Sequence, residues 1–131
     1  MGNRCVITTK KKDLAIYLHW NGGRDSVEGF LEYCRRMDFQ PPETNCYGWA
    51  RLAQVIANFF GGDGLSIGID TFDALDGAGD DNGTYIIEDW KIVGRENAPS
   101  VEQDEYPLDE MIQTIEDSQP DSMKLPEHRK D

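Results

Sequence analysis

The chain has 131 residues, 38% of them hydrophobic, with 25 acidic and 13 basic side chains and a net charge of −12. That length holds one domain with a real core but not two, and three Trp, five Tyr and five Phe exclude a wholly disordered chain. A field of that sign repels nucleic acid and attracts basic surfaces, so direct DNA or RNA binding is not expected.

No run reaches the length of a transmembrane helix, and "MGNRCVITTKKK" lacks the apolar centre of a secretory signal. Position 6 is Val, where a myristoylation signal wants Ser or Thr. A cytoplasmic protein without a membrane partner is expected. Cys5, Cys34 and Cys46 are odd in number and carry no CxxC spacing, which suits reduced thiols. Neither His19 nor His128 forms a ligand pair with a cysteine, so no metal site and no cofactor is expected.

In chain order, "RCVITT" (4–9) and "LAIYLHW" (14–20) are β-branched and aromatic runs flanking "KKKD", and they predict a hairpin with its lysines in water. After Asn21-Gly22-Gly23, a strand-to-helix turn with left-handed glycines is expected. Val27, Phe30, Leu31, Cys34 and Met37 then recur at helical spacing. Asp25 three residues before Glu28 has the spacing of a capping box, with Ser26 as the competing cap. "QPPE" stops that helix, because proline cannot donate and biases its predecessor away from helix.

A second helix is predicted from Thr44 or Asn45 to Phe60, ended by Gly61-Gly62. It is apolar on most sides and reads as the central, buried helix. "LSIGIDTF" (65–72) alternates like a strand, with Gly68 marking a bulge or a close approach. An acidic turn region follows. "TYIIEDWKIVGR" (84–95) reads as one bent strand or a pair, with Ile86, Trp90 and Ile92 on one face.

Charge is unevenly spread: residues 1–95 hold 14 acidic and 10 basic side chains (−4), and residues 96–131 hold 11 and 3 (−8). The expected organisation is therefore a compact domain over 1–95 and an acidic, largely flexible tail over 96–131. Within the tail Leu108, Met111, Ile112 and Ile115 predict a short amphipathic helix at 107–116, and 117–131 is expected to be disordered. The order β-β-α-α-β-β favours an α+β fold, an antiparallel sheet of about four strands packed on two helices. An exposed sheet edge or the apolar face of the tail helix could support a homodimer.

Four groups of residues are candidates for chemistry. In "WNGGRDSV", amides at a helix start after flexible glycines can hold a phosphate, with Arg24 adding charge and Trp20 a stacking surface. Asp25 as the cap would occupy those amides, and neither the Walker nor the GxGxxG spacing is present. Trp49, Arg51 and Arg95 would complete such an anion site. Second, Cys46 in the first turn of a helix has its thiolate favoured by the dipole. "ETNCYGWARL" superficially resembles the nucleophile helix of NlpC/P60-type peptidases, but those place their His after the Cys. Here His19 precedes it, and His128 in the tail is a poor base.

Third, Asp63, Asp70, Asp73, Asp76, Asp80 and Asp81 form an acidic cluster that does not fit the EF-hand register. Fourth, that cluster together with Asp104, Glu105, Asp109 and Glu110 in the tail offers carboxylates that can imitate phosphates in a basic nucleic-acid channel. A solvated acidic face is the plainer reading of both.

"MGNRCVITTK", "IYLHWNGGRDSV", "CYGWARLAQVIANFFGG", "LSIGIDT" and "DNGTYIIEDWKIVGRE" resemble a family of small, uncharacterised proteins carried by bacteriophages and prophages. The resemblance covers roughly residues 1–96 and brings no catalytic residues with it. It implies a setting in the cytoplasm of an infected bacterium, where small phage proteins act against host defence. They do so as anti-CRISPR proteins that block a nuclease, or as sponges for nucleotide immune signals. The expectation is a binding protein whose acidic surface blocks a basic site on a host defence protein. A nucleotide sponge using Trp20, Trp49, Arg24, Arg51 and Arg95 is the alternative, and a Cys46 hydrolase assisted by His19 is the third reading.

Overall fold

In the computed structural model, residues 2–61, 66–98 and 101–129 are described. The opening β-branched run forms β1 (Cys5–Thr9), and β2 (Leu14–Leu18) returns antiparallel to it with Ile7 opposite Ile16. Helix α1 (Arg24–Arg36) and helix α2 (Cys46–Phe60) follow, then β3 (Ile67–Thr71) and the single-turn helix α3 (Phe72–Leu75). Strands β4 (Thr84–Glu88) and β5 (Lys91–Glu96) precede helix α4 (Leu108–Ser118) and two 3-10 turns, Asp121–Met123 and Pro126–His128.

The fold is α+β, but the sheet has five strands in the order β3-β2-β1-β4-β5, and it is mixed rather than antiparallel. β4 lies parallel to β1, with Val6 opposite Thr84 and Thr9 opposite Ile87. The fifth strand arises because 84–95 breaks in two at Asp89 and Trp90, which both take left-handed φ (52° and 61°) and reverse the chain tightly. The register shift in this pair lies between Ile86 and Ile87, while Gly68 sits in unbroken register opposite Tyr17. The extra residue is Val93 on β5, so β4 keeps its alternation, and Tyr85 and Ile87, not the expected Ile86, face the core with Trp90 and Ile92.

Strand alternation divides the apolar residues between two layers. Cys5, Ile7, Ile16, Leu18, Tyr85 and Ile87 face the three long helices, while Val6 and Ala15 face Phe72 and Leu75 of α3. Burial pushes the thiols of Cys5 and Cys34 well above their usual range, so both stay protonated. The helix starts are as the sequence implies at α2, where the Asn45 side chain accepts from Tyr47 N–H at 2.9 Å. The helix is not the central one, however. It buries Gly48, Leu52, Val55 and Ile56 and leaves Tyr47 and Gln54 exposed. The more enclosed helix is α1, gripped by α2, α4 and β5.

The described residues from 96 onward do not match a flexible tail. Helix α4 packs chiefly against α1 and α2, and it buries Met111, Ile112 and Ile115. Beyond it, Met123 and Leu125 enter the same core, and the Tyr33 hydroxyl donates to the Met123 carbonyl at 2.6 Å. Buried Glu116 accepts from Leu125 N–H (2.9 Å) and pairs with His128 Nδ1 (2.6 Å). The apolar face of α4 is thus packed chiefly within its own chain.

Candidate functional site

The Asn21-Gly22-Gly23 loop turns the chain by a different device from the one expected. Asn21 carries the left-handed φ (56°), and the glycines serve close approach. A Cβ on Gly22 would stand 2.6 Å from the Asn3 carbonyl oxygen, and one on Gly23 would stand 2.5 Å from that of Gln103. Gly23 is the cap of α1 and no side chain caps it, so the Asp25–Glu28 capping box is not formed. Buried Asp25 instead accepts from its neighbour Ser26 N–H (2.6 Å) and from Glu105 N–H (2.7 Å) and Tyr106 N–H (2.9 Å). Arg24 N–H donates to the Gln103 carbonyl (2.8 Å), so the first turn of α1 is stitched to residues 103–106.

Of the expected anion-site residues, Arg24 and Arg95 do converge, but on a carboxylate. Glu102 accepts from Arg24 Nε at 2.9 Å and from the Tyr85 hydroxyl at 2.6 Å, and Arg95 Nε stands 3.5 Å away. Burial opposes ionisation of Glu102, yet the Tyr85 hydroxyl and the Arg24 guanidinium outweigh it and hold the carboxyl below its usual range. Burial and the charge of Glu102 push the Tyr85 phenol up, so it remains a donor. Arg24 also lies 5.5 Å from the Tyr85 ring centre. This is a closed structural network.

Arg51 takes no part in it: its guanidinium lies 5.8 Å from the Tyr47 ring and donates to Gln54 at 3.4 Å. Trp20 is half-exposed and meets His19 edge-on at 5.2 Å. Trp49 packs on the core beside Cys46, and among the described residues neither tryptophan stacks on an arginine.

Cys46 is exposed at the start of α2 and lines a shallow hollow with Leu14, at the beginning of β2. His19 follows the far end of β2, about 17 Å further at the rise of an extended strand. There it hydrogen-bonds with the Tyr17 hydroxyl at 2.9 Å. The thiol–imidazole pair is therefore not assembled. Among the described residues no group of three or more His, Cys, Asp or Glu side chains could hold a metal ion. Among them, too, no helix is long and apolar enough to cross a membrane.

The candidate acidic residues fall into two groups, one on and after β3 and α3 and the other leading into and opening α4. On the α3 side, Asp80 and Asp81 pair with Arg4 (3.3 and 3.1 Å), and Asp76 accepts from Asn97 (3.1 Å). Asp70 and Asp73 are exposed there, and Asp63 lies outside the described residues. On the α4 side, Asp104, Glu105, Asp109 and Glu110 are all exposed. Among the described residues no lysine or arginine pairs with these four, nor with Asp70 or Asp73.

Sequence reasoning missed two features of the α4 side. One is Glu102, hidden in a stretch of polar residues. The other is a hollow of about 260 Å³ lined by Asn21, Phe59, Tyr106, Glu110, Met111 and Thr114. The exposed Tyr106 in an acidic run was the one available signal for it. No family model, curated protein or solved structure matches the chain.

Proposed function

We propose that this protein acts by binding rather than by catalysis, docking its acidic α4-side surface onto a basic, nucleic-acid-binding site of a partner protein. The observation that carries this reading is the contrast in how charges are used. Two of the three arginines suited to an anion site, Arg24 and Arg95, are turned onto Glu102, whereas Asp104, Glu105, Asp109 and Glu110 project without cationic partners among the described residues. The α4 side is favoured over the α3 side because Asp76, Asp80 and Asp81 there are already engaged. The acidic segment is also held in place, since Asp25 fixes the backbone of 105 and 106. Carboxylates on a fixed frame meet a basic groove without the ordering cost of a flexible tail.

The resemblance to phage proteins suggests the setting: the cytoplasm of an infected bacterium, with a CRISPR effector or a similar nuclease as the partner. The nucleotide-sponge alternative has no free arginine cluster to support it, and the Cys46 hydrolase lacks its base. Binding to such a nuclease should weaken steeply with rising salt. Reversing Asp104, Glu105, Asp109 and Glu110 to lysine should abolish inhibition, with Asp70 and Asp73 mattering less. Salt-insensitive binding, or full inhibition by the reversed variant, would sink the reading.

A further inference from the structure

The hollow between the Asn21 turn, the end of α2 and the start of α4 has a chemistry of its own. Three of its walls, at Phe59, Tyr106 and Asn21, are fixed by contacts outside it. Phe59 is held edge-on by Phe30 and Phe60, with ring centres 5.3 and 5.4 Å apart. Tyr106 is pinned through its backbone N–H to Asp25, while its side chain remains 56% exposed. The Asn21 amide nitrogen donates to Ser26 Oγ at 3.2 Å, which leaves the carbonyl oxygen of that side chain. The Thr114 hydroxyl donates to the Glu110 carbonyl at 3.0 Å, so its proton is already used.

What remains around the hollow is two acceptors, the Glu110 carboxylate and the Asn21 side-chain carbonyl, with the Tyr106 hydroxyl able to accept as well as donate. Two aromatic rings and the Met111 thioether complete the lining. No lysine or arginine lines it. Two other surface hollows each carry their own lysine: Lys91 beside Trp90 and Glu32, and Lys11 beside Cys46. In the first of these, Glu32 is also taken by Arg35 and Arg36 at 2.6 and 2.8 Å.

An anion is repelled from such a site, and a neutral aromatic leaves Glu110 unmatched. A lysine ammonium satisfies the charge but is strongly hydrated and presents no flat face. A guanidinium is planar, cationic and rich in donors, so it can lie against a ring while bonding to a carboxylate. About 260 Å³ holds one such head with part of its stem, below the roughly 300–1,000 Å³ of drug-sized sites. We infer that this hollow is the anchor site for an arginine side chain of the partner. The inference rests on the acidic-surface reading and gives that surface a preference for arginine over lysine.

The test uses the whole protein and two glycine–serine peptides of equal length and charge, one carrying arginines and the other lysines at the same positions. An acidic surface without an anchor shows only the modest arginine preference of any carboxylate, and that preference does not change when the hollow is altered. The hollow should favour the arginine peptide about fivefold, within the range of cation–π and bidentate contacts. Tyr106→Ala, which leaves the net charge unchanged, should remove most of that preference, leaving only what the exposed carboxylates give. Thr114→Arg should do the same at an exposed helix position by supplying a guanidinium one turn from Glu110, and it covers the case in which Tyr106→Ala fails to fold. Equal binding of both peptides by the unaltered protein would overturn the anchor while leaving the acidic surface standing. So would a preference that survives both substitutions. Binding of neither peptide would overturn the anchor and the acidic-surface reading together.

Discussion

Asp25 shows how a local pattern and its tertiary use can part company. Its spacing to Glu28 is that of a capping box, yet its carboxylate reaches 80 residues along the chain to the N–H groups of Glu105 and Tyr106. Glu28 bonds elsewhere, to Arg24 at 3.5 Å. A buried carboxylate that accepts from three backbone donors is costly to lose, because all three bonds go together and Ser26 N–H is left buried. Asp25→Ala should lower stability by roughly 2–3 kcal/mol in urea unfolding, the range for hydrogen bonds to a charged group plus unsatisfied donors. A loss below about 0.5 kcal/mol would show that residues 105–106 are not held this way. Sequence spacing could identify Asp25 as a group that binds backbone amides, but only the fold could say which amides.

Among the elements, α4 was legible as a helix and illegible as a part of the core. Leu108, Met111, Ile112 and Ile115 at helical spacing after Pro107 define its apolar stripe, and the observed helix, Leu108–Ser118, is close to the expected one. What the stripe meets is set by α1, where Gly29 sits inside the helix and leaves room for it. A Cβ at Gly29 would come within 2.5 Å of Met111 Cγ and 3.2 Å of Ile115 Cδ1. Gly29→Ala ought to gain about 1 kcal/mol from helix propensity. Here the crowding should dominate and give a net loss of about 1–2 kcal/mol, read as a lower urea midpoint. A stabilised variant would mean that α4 does not rest on α1.

The same logic separates what was readable elsewhere in the chain. The hairpin, the stripe of α1 and the Asn45 cap of α2 are all local, and each is present. Helix α3 was hidden in an acidic turn because one turn of helix has no period to detect; its signs are only the Thr71 cap and Phe72. Met123 and Leu125 are isolated apolar residues in a polar stretch, so nothing local marked them as buried.

At the scale of the whole molecule, charge and packing follow different boundaries. Residues 96–131 hold most of the excess negative charge, which marked them as a tail. Yet Ile115 is fully buried, and Glu102, Asp25 and the Tyr33–Met123 bond tie the same segment to α1 and β4. Ending the chain after Ala98 should therefore expose the faces of α1 and α2 and remove cooperative unfolding, with a large rise in binding of a hydrophobic dye. A truncated protein that melts as sharply as the full chain would restore the boundary at 95. The parallel β1–β4 pair was equally out of reach, because no turn joins its strands.

That pair also governs the order in which the molecule can be completed. β1 is made before the other strands and lies in the middle of the finished sheet, but the strand that covers its second edge is made more than seventy residues later. A growing chain therefore carries Val6–Thr9 with one row of backbone groups open until Thr84–Ile87 arrives. The nascent hairpin must stay soluble through that interval, and Lys10, Lys11 and Lys12 at its tip are placed to keep stray strands from adding to it.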